Sequence, residues 1–150
     1  YKESGLNPNV RSHRGAVGIM QLLPSTGGEV GIRGARLTSL EGNVEAACRY
    51  MRLILDTYFN DPGMDRLNRH LFALAAYNAG PNRVQALQAK ARERGLDPNV
   101  WFGNVEQLVA NEVGQGPINY VSTIYKYYVA YRFSLPQLEG KAAAIEAARP

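Results

Sequence analysis

ESGLNPNVRSHRGAVGIMQLLPST, the run from Glu3 to Thr26, decides how this chain reads. Gly5 suits the left-handed residue that ends a helix, and Pro8 blocks any continuation. Glu3 is therefore expected in the last turn of a helix. A carboxylate there faces the negative end of the helix dipole, which raises its pKa, and burial would raise it further. A general acid working near neutral pH needs such a rise from about 4.3. The plain alternative is a solvated surface glutamate, the state of most glutamates.

Ser12 to Leu23 adds a return path over that acid. Gly15 and Gly18 permit close approach of backbones. Val17, Met20 and Gln21 stand at i, i+3 and i+4, so they share a face of an expected short helix over 17–23. Gln21 is either a surface residue or a donor and acceptor pointing into a cleft. Pro24 opens the next helical turn from the favoured first position.

Glu3-Ser4, then Ser12-x-x-Gly15-Ala16-x-Gly18-x-Met20-Gln21-Leu22-x-Pro24, then Ala76-Tyr77-Asn78-Ala79-Gly80-Pro81 stand in one order along the chain. The pattern resembles the lytic transglycosylase domain of the soluble-lytic-transglycosylase type, over Tyr1 to about Phe133. The resemblance implies an all-α, goose-type lysozyme-like fold that cleaves bacterial cell-wall glycan, with its groove at the end of the first helix. It implies Glu3 as catalytic residue, oriented by a hydrogen bond from Ser12. It places Met20, Gln21, Tyr77 and Asn78 along the sugar groove and matches Tyr120 to a late tyrosine of the family. Ile19 and Leu23 depart from the family's Leu and Met, swaps that conserve volume. Gly116-Pro117-Ile118 replaces a Glu-Thr-Arg run, which removes a groove carboxylate on the far side of the site. The closing run KYYVAYRF, Lys126 to Phe133, is similar to the end of the membrane-bound F-type branch, which carries an upstream solute-binding-like domain. That implies an exported protein of the bacterial periplasm or the outer membrane's inner face, associated with the membrane through an upstream region.

At 150 residues the chain is one domain, able to bury about two thirds of the surface its unfolded form exposes. A hydrophobic share of 45% and a charged share of 20% are those of an ordinary globular protein. The net charge of +4 suits an anionic partner such as cell-wall glycan bearing peptide carboxylates. No Lys/Arg cluster resembles a nucleic-acid footprint, so no nucleic-acid partner is expected. A single cysteine, Cys48, excludes an internal disulfide and any Cys-rich zinc site, and its helical apolar setting reads as a small buried hydrophobe. No signal peptide and no apolar run near transmembrane length is present. The chain opens at Tyr1 without a Met, inside the expected helix, so upstream residues and any targeting segment are expected to lie outside it.

Further along, the glycines at 27, 28, 31 and 34 read as a plain connecting loop rather than a phosphate cradle, since no Gly-Lys-Ser/Thr follows. Leu40 to Phe59 reads as a long helix with Val44, Ala47, Cys48, Met51, Leu55 and Tyr58 at helical spacing. Asp65 to Asn78 reads as another, with Leu67, Leu71, Leu74 and Ala75 in its stripe. Tyr77 and Asn78 at its end suit a sugar, as a ring for C–H faces and an amide for hydroxyls. A core tyrosine beside a capping asparagine is the equal alternative. A polar helix is expected from Pro81 to about Arg94. Trp101-Phe102 reads as either a sugar platform or, more simply, a lid over the core. A short helix over 105–113 precedes the last strong one, 117–133. There Tyr120, Ile124, Tyr127 and Tyr131 share a face, and apolar residues cover so much of the circumference that a central position is expected. After Pro136 the composition turns to Ala, Glu and Lys. The expected division is a catalytic domain over 1–133 and a loosely helical or disordered tail over 134–150, with no second domain and a monomer as the state of the domain.

The chemistry narrows to carboxylates. His13 and His70 have no partner at metal-ligand spacing, so no metal and no cofactor is expected. No serine sits in a nucleophile elbow. A two-carboxylate glycosidase needs a second acid across the bond, and the next acid after Glu3 is Glu29, beyond the motif. One acid agrees with the non-hydrolytic route that the resemblance implies, in which glycan is cleaved to 1,6-anhydro ends. A goose-type lysozyme using the same groove for hydrolysis, and a non-catalytic glycan-binding module, are the competing readings.

Overall fold

The computed structural model describes residues 2–147, with side chains described through Pro136. Among the described residues seven α-helices follow in order, α1 Pro24–Glu29, α2 Gly34–Thr38, α3 Leu40–Thr57, α4 Arg66–Ala79, α5 Pro81–Glu93, α6 Glu106–Glu112 and α7 Gln115–Ala147, with a kinked π-helical segment, Trp101–Val105, leading into α6. No strand occurs among the described residues, and only two isolated bridges, Arg11 with Val17 and Val17 with Leu22, pair extended backbone. The all-α architecture expected from the sequence is the one adopted.

The helix ends follow local chemistry. Ser39 and Asp65 cap α3 and α4 by accepting from the backbone N–H groups of Gly42 and Asn68. Gly80 ends α4 at φ +93°, and Pro81 opens α5 from its first position. The glycine-rich stretch expected as loop instead forms α1 and α2. Gly27 is buried there, and a Cβ on it would lie 2.6 Å from the Ile32 carbonyl oxygen. Gly27 serves close packing within that short helix, which a count of turn residues does not show.

α4 lies at the centre, touching α3, α5 and α7. Its Leu71, Phe72, Ala73, Ala75 and Ala76 are buried. Phe72 stacks on Phe59 and meets Trp101 edge-on, both at 5.5 Å between ring centroids. Trp101 is thus core, as the lid reading has it, while Phe102 stays partly exposed against Tyr125.

Two expectations are corrected. The core-facing stripe of α3 is Asn43, Ala46, Ala47, Tyr50 and Ile54, one step round from the stripe read off the sequence, and Val44 is exposed. Helix α7 is central only in its first turns. Val121 is fully buried, whereas Tyr127, Tyr128 and Tyr131 are exposed. Of the two forms expected for the tail the helical one is seen: α7 runs past Phe133 and through Pro136, which removes a single backbone donor, to Ala147. The last residues of the expected tail, 148–150, lie outside the described residues.

Candidate active site

Glu3 does not end a helix among the described residues. Lys2 to Leu6 is a series of turns, with Gly5 at φ +61° and Leu6 at φ +69°. Burial raises the Glu3 pKa above the ordinary glutamate value, opposed by the hydrogen bond from the Tyr120 hydroxyl and by the nearby Lys2 charge.

Nor does 17–23 form a helix. Gly18 at φ +80° and Gln21 at φ +49° both take the left-handed region, which breaks a right-handed turn. The segment is a tight bridged loop. Val17 exchanges both backbone hydrogen bonds with Leu22, at 2.9 and 3.1 Å. The Gln21 side-chain amide donates to the carbonyls of Val10 and Gly18, at 3.0 and 2.8 Å. Gln21 locks its own loop and does not line the cleft. Ser12 behaves in the same way. Its Oγ accepts from the Ala16 N–H at 3.0 Å, closing the Ser12–Ala16 turn, and the group bonded to the Glu3 carboxyl is Tyr120. The orienting hydrogen bond expected from Ser12 is made from the other end of the chain. Asn78 is exposed in the last turn of α4, outside the cleft.

The remaining expected residues come together. Glu3, Met20, Tyr77 and Tyr120 line one cleft of about 930 Å³. Tyr77 arrives from α4 and donates its hydroxyl to the Met20 carbonyl at 2.8 Å. Tyr120 arrives from the first turns of α7, and Ile124, Tyr127 and Tyr131 from the same face continue the wall. Burial, and then the neighbouring Glu3 charge, hold both phenols well above the usual tyrosine range, so they remain neutral donors. Glu3 is the one carboxyl group among the cleft-lining residues. Apart from it, Lys2, Arg52 and the phenol hydroxyls, the walls are apolar.

The wall formed by α3, with Ala47, Cys48, Met51 and Leu55, was not read as part of a site. Its residues carry no polar signature, and helical spacing alone assigns them to a core. Cys48, expected buried, is exposed on this wall. Asn43 was missed as well, although a polar residue beside the apolar stripe of a long helix was the available signal.

The family model for the transglycosylase SLT domain matches residues 1–100. The chain is 32% identical over 141 residues to the membrane-bound lytic murein transglycosylase F of Desulfosudis oleivorans, covering 85% of this chain and 30% of that protein. It is 30% identical to the protein of the same name from Shewanella sediminis, covering 85% of this chain and 28% of that protein. With the Pseudomonas putida protein of that name it shares 28% over 158 residues, 95% of this chain and 32% of the relative. The chain thus spans about a third of the length of these relatives. By the span of the family model and the identity to these relatives, it belongs to the transglycosylase SLT domain family.

Proposed function

We propose that this domain is a peptidoglycan lytic transglycosylase. It cleaves the β-1,4 bond between N-acetylmuramic acid and N-acetylglucosamine without water, using Glu3 first as acid and then as base. The observation that supports this most is a single carboxyl in the cleft, held protonated to higher pH by burial and met by a phenol donor. The protonated Glu3 donates to the glycosidic oxygen as the bond breaks. The N-acetyl oxygen of the muramic acid stabilises the cation at C1. The carboxylate left behind then takes the proton from the C6 hydroxyl, and that oxygen bonds to C1. The product is a 1,6-anhydro end, and Glu3 regains its proton. Tyr120 holds the carboxyl in place through both steps, while Met20 and Tyr77 contact the sugar beside it.

An inverting or retaining hydrolase would place a second carboxyl across the bond, and no other acid stands among the cleft-lining residues. The catalytic domain covers 1–133, with 134–150 as an appended tail, and the domain acts as a monomer. The names of the relatives, membrane-bound lytic murein transglycosylases, support the bacterial cell envelope as the location of the whole protein. Among the described residues no helix is long and apolar enough to cross a membrane, so membrane association would come from elsewhere in the full protein. Digestion of purified cell wall followed by mass spectrometry tests the reaction. Anhydro ends are expected. Reducing ends, heavier by one water, would make the enzyme a hydrolase, and intact glycan would make the domain a binding module.

A further inference from the structure

Asn43 is fully buried on α3, and a buried carboxamide persists where its polar atoms are satisfied. Its Oδ1 accepts from the Met20 backbone N–H at 2.8 Å. Its Nδ2 donates to the carbonyls of Val17 and Leu37, at 3.0 and 2.9 Å. Two of the three partners, Val17 and Met20, bracket Gly18. A Cβ on Gly18 would lie 2.4 Å from the Asn43 Cγ, so glycine lets the loop lie flat on the carboxamide.

The loop clamped in this way reaches Glu3 by two routes. Ser4, the next residue after the acid, donates its hydroxyl to the Ile19 carbonyl at 2.8 Å. Met20 accepts the Tyr77 hydroxyl at 2.8 Å, and Tyr77 lines the cleft beside Glu3. One route fixes the backbone under the acid, and the other fixes the wall beside it.

We propose that Asn43 is a positioning residue for Glu3, clamping the Val17–Met20 loop so that Ser4 and Tyr77 hold the acid in a water-poor corner of the cleft. The assignment rests on the acid role proposed for Glu3. Asn43 touches neither substrate nor carboxyl and acts only through the loop. The groups facing Glu3 are Lys2 from its own segment, Tyr77 from α4 and Tyr120 from α7, with Cys48 and Arg52 of α3 on the same cleft wall. Loosening the loop admits water to the carboxyl, which favours its charged form.

The test pairs Asn43→Ala with Asn68→Ala. Asn68 is a second buried asparagine, which accepts from the Trp101 N–H at 2.8 Å and donates to Asp65 at 2.7 Å, away from the cleft. Both variants lose stability, so kinetics are read well below both melting points. For Asn43→Ala the expected result is a kcat loss of at least about tenfold with a smaller change in KM. The basic limb of its pH profile moves to lower pH, and Asn68→Ala keeps the original limb. A wild-type kcat and limb in Asn43→Ala, or equal changes in both variants, overturns the proposal. Should Asn43→Ala fail to fold, the double variant Ser4→Ala/Tyr77→Phe cuts the two downstream links and must show the same shift, and an unmoved limb there overturns it equally. NMR titration of the Glu3 carboxyl in the same variants separates the two claims, because it reads the acid's surroundings without turnover. A lowered carboxyl pKa in Asn43→Ala beside an active Glu3→Gln would sink the acid role and leave the clamp standing.

Discussion

Tyr120, near the start of α7, donates its hydroxyl to Oε1 of Glu3, at the other end of the chain. The bond favours the charged carboxylate, whereas burial, the larger effect, favours the protonated form. Tyr120→Phe removes only the bond. The Glu3 pKa then rises further, and the basic limb of kcat/KM moves to higher pH. The carboxylate also loses its tether for the second proton transfer, so kcat falls about tenfold or more. A pH–rate profile of the variant checks both, and the shift is opposite in sign to that expected for Asn43→Ala.

Gly18→Ala tests the loop by sterics. The new methyl would meet the Asn43 carboxamide at 2.4 Å, and the backbone is at φ +80°. Strain and overpacking together cost about 2–4 kcal/mol. Gly15 has a similar φ of +82° with nothing within 4 Å of a built Cβ, so Gly15→Ala costs only the backbone strain, about 1 kcal/mol. Urea unfolding of the two variants measures the difference, and equal losses would mean that the contact with Asn43 carries no weight.

Much of the fold was legible in the residues. Three of the four longer helices announce themselves by 3.6-residue spacing, and Gly80 and Pro81 mark where α4 ends and the polar α5 begins. The place of Glu3 in the cleft was legible too, because it stands in a motif with ordered partners far downstream. What failed was the local form of 17–23. A helical spacing of Val17, Met20 and Gln21 was overruled by a tertiary contact, the buried Asn43 capturing the Met20 N–H. The family resemblance gave Ser12 the orienting of Glu3 and Gln21 a place along the groove. Both are used to close turns instead. The Tyr120 bond to Glu3 spans 117 positions, and no local pattern encodes a contact of that reach.

Cys48 offers a chemical probe of the cleft. Its thiol is exposed and lies on the same wall as Met51 and Leu55. A bulky maleimide attached there fills space a ligand needs, and turnover of cell wall drops. Cys48→Ser abolishes the sensitivity to the reagent. Full activity of the quantitatively labelled protein would place the sugar path elsewhere.

Glu3 also works against the stability of the fold. Its folded pKa lies above the unfolded value, so the folded state binds the extra proton. The resulting stabilisation is complete below the unfolded pKa of about 4.5 and is lost as pH rises through the folded value. Glu3→Gln keeps an acceptor for Tyr120 without the buried charge. Its melting temperature is expected to exceed the parent's at pH 7, with the gap closing below about pH 4.

The same substitution bears most directly on the chemistry. Release of anhydro-ended fragments from purified cell wall by folded Glu3→Gln, at matched concentration and pH, is predicted to fall at least about 100-fold. Release within a few-fold of the parent enzyme would contradict a reaction driven by that one carboxyl.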